Sequence, residues 1–95
     1  MKVTEHSKLR RLPDVYAREF DGETVLVDLV GGDYFGLDEV GGRAWSGFVA
    51  GKTPVELAHE LCKDYQVDQE VVLKDLIDLA QSLVSKGLLA IEDER

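Results

Sequence analysis

Two glycine-bearing breaks, Asp21-Gly22 and Gly31-Gly32, cut the stretch from Pro13 to Leu37 into three runs that alternate with a period of two. Aspartate and glycine both tolerate positive φ, so Asp21-Gly22 reads as a hairpin turn. In the first run, Pro13 to Phe20, Tyr16 and Phe20 share a face with Arg18 between them. The second, Glu23 to Val30, puts Val25, Val27 and Leu29 on one face and Asp28 on the other. The third, Asp33 to Leu37, is short; Phe35 and Leu37 share one face, Tyr34 and Gly36 the other. Such a series is an antiparallel meander whose first and third strands are edges. Open edges invite another chain. The third carries Gly36, which leaves room for a second backbone to approach.

Downstream the period changes to that of helices. Asp38 can cap a helix through Val40, Ala44, Trp45, Phe48 and Val49 that ends at Gly51. Thr53-Pro54-Val55-Glu56 is a capping box with proline at the first helical position. The helix it starts buries Val55, Leu57, Ala58, Leu61 and Cys62 and frays near Tyr65. Asp68 caps a third helix, which Lys86-Gly87-Leu88 closes with a glycine cap; Leu88 to Ile91 then tucks back as an extended piece. Three strands followed by three helices form an α+β domain with the look of a winged helix-turn-helix. The expected organisation is a loose, polar N-terminal arm over 1–12, one domain over 13–91 and a charged tail over 92–95.

Composition removes several functions. No apolar run approaches the ~20 residues of a membrane span, and Met1 to Leu12 has no apolar signal region. The expected location is the cytoplasm, with no membrane partner. The net charge of −8 works against the phosphate field of a nucleic acid. If the third helix read DNA, it would present Lys74, Asp75, Asp78, Gln81, Ser82 and Ser85, and the two aspartates would repel phosphates. Gly31-Gly32 lacks the spacing and the lysine of a phosphate loop. Asp75 and Asp78 read as solvated charges, not as an acid/base pair. One cysteine and two histidines do not make a zinc site. Cys62 with His59 three residues before it is the only pair resembling a nucleophile and base, and Cys62 reads better as a small buried residue. No catalytic constellation and no cofactor site emerge.

The third helix carries Val72, Leu73, Leu76, Ile77, Leu79, Ala80, Leu83 and Val84, an apolar arc of roughly 160°. Periodicity leaves two readings open: the whole arc is core, or one margin of it lines a groove. An extended peptide added to the third strand would use that groove. About five hydrogen bonds at ~1 kcal/mol net cannot offset an association cost of ~4–15 kcal/mol. Two or three buried peptide side chains would have to supply the rest.

The string from Asp21 to Asp28, then Gly32-Asp33-Tyr34-Phe35-Gly36-Leu37-Asp38-Glu39-Val40-Gly41, Arg43-Ala44-Trp45, Gly51 to Glu56 and Lys86-Gly87-Leu88 resembles the PqqD-like family over about Tyr16 to Leu89. Asp38 stands where the family often has asparagine, which keeps the cap. The resemblance implies a non-catalytic recognition element for ribosomally made peptide natural products, a peptide chaperone that binds the leader segment of the precursor as a fourth strand. It points to Gly32, Asp33, Tyr34, Phe35, Gly36 and Leu37 for backbone pairing. For the groove wall it points to Lys74, Ile77, Gln81 and Val84, with Leu73 and Ala80 deeper. As a free-standing domain the chain looks like the leader-binding proteins of lasso peptide pathways. The implied partners are then a transglutaminase-like leader protease and an ATP-dependent lasso cyclase. A peptide chaperone for a radical SAM enzyme, as in PQQ-type pathways, fits the same residues. A winged-helix DNA-binding protein is the remaining alternative.

Overall fold

The computed structural model describes residues 2–92. Its elements are β1 (Lys8–Arg11), β2 (Val15–Phe20), β3 (Glu23–Asp28), β4 (Asp33–Leu37), α1 (Glu39–Val49), α2 (Pro54–Tyr65), α3 (Gln69–Ser85) and β5 (Leu89–Glu92). Strands β2, β3 and β4 form the antiparallel meander in that order, and β1 pairs with β5 in a separate two-stranded ribbon.

The turns set the sheet. Asp21 and Gly22 take φ of 49° and 84°, as a two-residue hairpin turn requires. At the second turn the Asp28 carboxylate accepts from the Val30 and Gly31 N–H groups, and Gly32 takes φ of 76°. The register places Tyr16 and Tyr34 on either side of Val27, and Arg18 and Gly36 on either side of Val25. The helices cover the opposite face, where Val15, Thr24 and Leu26 are buried. The Val25, Val27 and Leu29 face is therefore the outer one. Because β3 is apolar on both faces, alternation assigns residues to faces without saying which face is core.

Asp38 caps α1 by accepting from Gly41 N–H at 2.7 Å. A Cβ on Gly42 would lie 2.4 Å from the Thr24 hydroxyl, so glycine lets α1 pack closely on β3. Thr53 and Glu56 make the capping box reciprocally, at 2.9 and 3.3 Å. That hydrogen bond from the Thr53 backbone, more than any nearby cation, holds the Glu56 carboxyl below its ordinary pKa. Helix α3 ends with Gly87 N–H on Val84 C=O and Leu88 N–H on Leu83 C=O, the glycine-based Schellman arrangement. Phe48, Leu61, Leu88 and Leu89 are among the most completely buried side chains.

The loose arm expected over 1–12 is corrected by the structure. Lys8–Arg11 is a strand, with Leu9 facing Ile91 across the ribbon. Leu9 and Val3 are buried, Val3 N–H donates to the Gln81 side chain at 2.8 Å, and Val55 N–H donates to Glu5 C=O. The last contact satisfies one of the donors that a helix start leaves open. Of the expected tail, Glu92 ends β5, and 93–95 lie outside the described residues.

Candidate functional site

Hydrogen-bond alternation identifies the backbone groups left open at the sheet edge. Leu29 donates its N–H to Asp14 C=O at 3.0 Å. From that pair, the antiparallel pattern turns the N–H and C=O of Val27 and Val25 toward β2, and those of Thr24, Leu26 and Asp28 toward β4. Their partners Leu37, Phe35 and Asp33 spend their backbone groups on β3. Tyr34 and Gly36 thus aim theirs away from the sheet, at an edge with no strand beyond it among the described residues. Tyr34 is 73% exposed, and a Cβ on Gly36 would meet nothing within 4 Å.

Beside this edge lies a cleft of about 380 Å³. Leu37, Val40, Ala44 and Leu61 form one side, Val72, Leu76 and Leu79 of α3 the other, and Gly36, Asp38, Gly41 and Asp75 complete the lining. The cleft adjoins the inward face of β4. Side chains of an added strand opposite Phe35 and Leu37 would therefore point into it, because directly opposed residues share a face.

The sequence-derived site is brought together in part. Gly32 occupies the turn, and Asp33, Tyr34, Phe35, Gly36 and Leu37 make up β4. The expected α3 wall lies on the other margin of the helix. Leu73, Lys74 and Ile77 line a shallow depression with Glu70 and Asp78, Gln81 holds the Val3 N–H, Ala80 is fully buried and Val84 packs against the core. At about 100° per residue, the buried line of Leu76, Ala80 and Leu83 divides two margins. Ile77, Gln81 and Val84 fall on one, Val72, Asp75 and Leu79 on the other. Both are apolar enough to serve, so the sequence carries no signal that separates them. Val40, Ala44 and Leu61 were legible as helix positions but not as neighbours of the edge.

Charge is unevenly distributed along the cleft. Asp38 and Asp75 lie at the Leu37 end. Outside the cleft's lining, on the Phe35 side, the Lys86 ammonium sits 5.9 Å from the ring centroid and donates to the Ser82 hydroxyl. A second, more polar cleft of about 450 Å³ lies between the β2–β3 turn and helices α1 and α2. Its cations are engaged: Lys52 pairs with Glu60 at 2.7 Å and Arg43 with Asp64 at 2.6 Å. Hydrogen bonding to Tyr65 and then to Asp64 raises the Arg43 pKa further. Cys62 is half-buried and His59 exposed. No helix among the described residues is long and apolar enough to cross a membrane.

The family described as coenzyme PQQ synthesis protein D (PqqD) matches residues 23–89. Among solved structures, the chain is similar to TbiB1 in complex with the TbiA(beta) leader peptide. The identity is 39%, the match covers 90% of this chain and 99% of that one, and the TM-score is 0.81. It also shares the fold of a lasso peptide synthetase B1 complexed with the leader peptide, at 24% identity over 87% of this chain and 98% of that one, with a TM-score of 0.82. No curated protein matches the chain.

Proposed function

The chain belongs to the PqqD family, and from that premise we propose that it captures the leader segment of a ribosomally synthesised precursor peptide and presents it to separate modifying enzymes without catalysing a reaction itself. The observation that carries this reading is the open edge of β4, with the Tyr34 and Gly36 backbone groups unpaired beside an apolar cleft. The neighbour at 39% identity is a leader-peptide complex by its own description, which supports the choice of ligand.

The energetics require both parts of the site. Two N–H and two C=O groups at Tyr34 and Gly36 offer about four hydrogen bonds, or ~4 kcal/mol net. That only reaches the low end of the ~4–15 kcal/mol lost on association. An apolar side chain opposite Leu37, seated against Val40, Leu76 and Leu79, adds ~1.5–3 kcal/mol, and a second opposite Phe35 adds a comparable amount. Together these reach at most ~10 kcal/mol, or ~6 after the smallest association cost, so micromolar affinity, ~8 kcal/mol, needs the strand pairing, both side chains and further burial along the peptide.

The favoured setting is a lasso-type pathway in the cytoplasm, with a transglutaminase-like leader protease and an ATP-dependent cyclase as enzyme partners. The description of the matching family supports a second setting, as a peptide chaperone for a radical SAM enzyme. Fluorescence anisotropy against labelled leader peptides encoded beside the gene tests the reading. One leader should bind at micromolar or tighter affinity, and the protein alone should leave it chemically unchanged. Saturating protein with no anisotropy change for any leader would overturn it.

A further inference from the structure

We propose that the cleft and the β4 edge beside it select peptides by an electrical polarity along the strand, so that the ligand carries an acidic residue beyond the Phe35 end and a lysine or arginine beyond the Leu37 end, with the apolar side chains opposite Phe35 and Leu37 between them. This rests on the strand-addition reading above and makes that ligand chemically specific.

Lys86 fixes one end, over the Phe35 ring and hydrogen-bonded to the neutral Ser82 hydroxyl. Asp75 and Asp38 line the other end with Leu37 and Val40. The Asp38 carboxylate caps α1 through the Gly41 N–H and is paired with no cationic side chain among the described residues. Among the described residues, neither Asp75 nor Lys86 takes part in an ion pair. Strand β4 therefore runs past α3 from the helix's C-terminal end toward its N-terminal part.

Helix and strand geometry give the spacing. Lys86, the C-cap of α3, and Asp75 are eleven residues apart, or about 16 Å at ~1.5 Å per residue. An extended peptide covers that distance in about five residues at ~3.3 Å each, so two charged side chains on the cleft face stand about four or six positions apart. Lysine and arginine side chains reach far enough to accommodate a shift of one position. Reversing the charges along a peptide of unchanged composition would set like charges against each other at both ends. The exclusion of wrong partners by like charge is a general source of interface specificity.

A randomised 14-residue peptide display library, selected separately on the wild-type protein and on the D75K/K86E double variant, tests the proposal. Both substitutions lie at exposed positions of α3 or its cap. The wild type should enrich peptides with an acidic and a basic residue about four or six positions apart around apolar residues, and the double variant should enrich the opposite order. Each selected peptide should bind the non-cognate protein on the order of tenfold more weakly at low salt, as expected for two solvent-exposed ion pairs, and the gap should narrow at high salt. Enriched peptides whose charge order is the same on both proteins, yet which lose binding to Gly36→Pro, would overturn the polarity and leave strand addition standing. No enrichment, or peptides that bind Gly36→Pro as well as wild type, would overturn strand addition and the polarity with it.

Discussion

At the residue scale the fold turns on which backbone groups are left unpaired. Tyr34 and Gly36 face outward because the hydrogen-bonded pairs of β3 and β4 begin at Asp28 and Asp33. Proline at Gly36 removes one outward donor without breaking a ladder bond, which an edge strand tolerates. Gly36→Pro and Tyr34→Pro should each keep the wild-type circular dichroism spectrum and lose peptide binding, as read by anisotropy. The two margins of α3 should separate equally well. Leu79→Ser on the cleft side should weaken binding about tenfold, from ~1.5 kcal/mol of lost burial, whereas Ile77→Ser on the other margin should leave the isotherm unchanged. That β4 is a short edge strand was legible in the sequence, because its alternation and bounding turns are local. Which margin of α3 adjoins β4 was not, because both margins of the arc are apolar and only tertiary packing chooses between them.

At the element scale, most of the helices follow from their ends. The Thr53 box, the Asp68 cap and the Gly87 closure could each be read locally, and the structure places them at the ends of α2 and α3. Thr53→Ala should lower unfolding stability by ~1 kcal/mol in urea titration. Glu56 adds a pH dependence whose sign is set by its lowered pKa in the folded state. Its contribution is fully present above the ordinary glutamate pKa and is lost as pH falls through the folded value. The stability difference between wild type and Glu56→Gln should therefore shrink as pH is lowered below about 4.3. Of the ribbon, the β5 half was legible as the extended piece at Leu88 to Ile91, but β1 was not. Lys8-Leu9-Arg10-Arg11 has one apolar residue in four, too little alternation to mark a strand, and its partner lies some eighty residues away.

For the whole molecule, that ribbon makes the N-terminal segment part of the core. Leu9 is 1% exposed, and Leu9→Ala should cost ~2–5 kcal/mol of stability, measured by denaturant titration. The segment covers the Gln81 margin of α3 and leaves the β4 margin open. The folded fraction of Leu9→Ala should therefore bind peptide as the wild type does. At Gln81 one margin of α3 holds the chain's N-terminal segment, and the other margin adjoins the β4 edge proposed to take the ligand.

The central claim is that a peptide becomes the fourth strand of the sheet. Amide hydrogen exchange, followed by NMR with and without a bound leader peptide, tests it most directly. Strand addition requires the Tyr34 and Gly36 amides to pass from fast exchange to strong protection on binding, while the Phe35 and Leu37 amides, already paired with β3, change little. Tight binding with the Tyr34 and Gly36 amides still in fast exchange would contradict it.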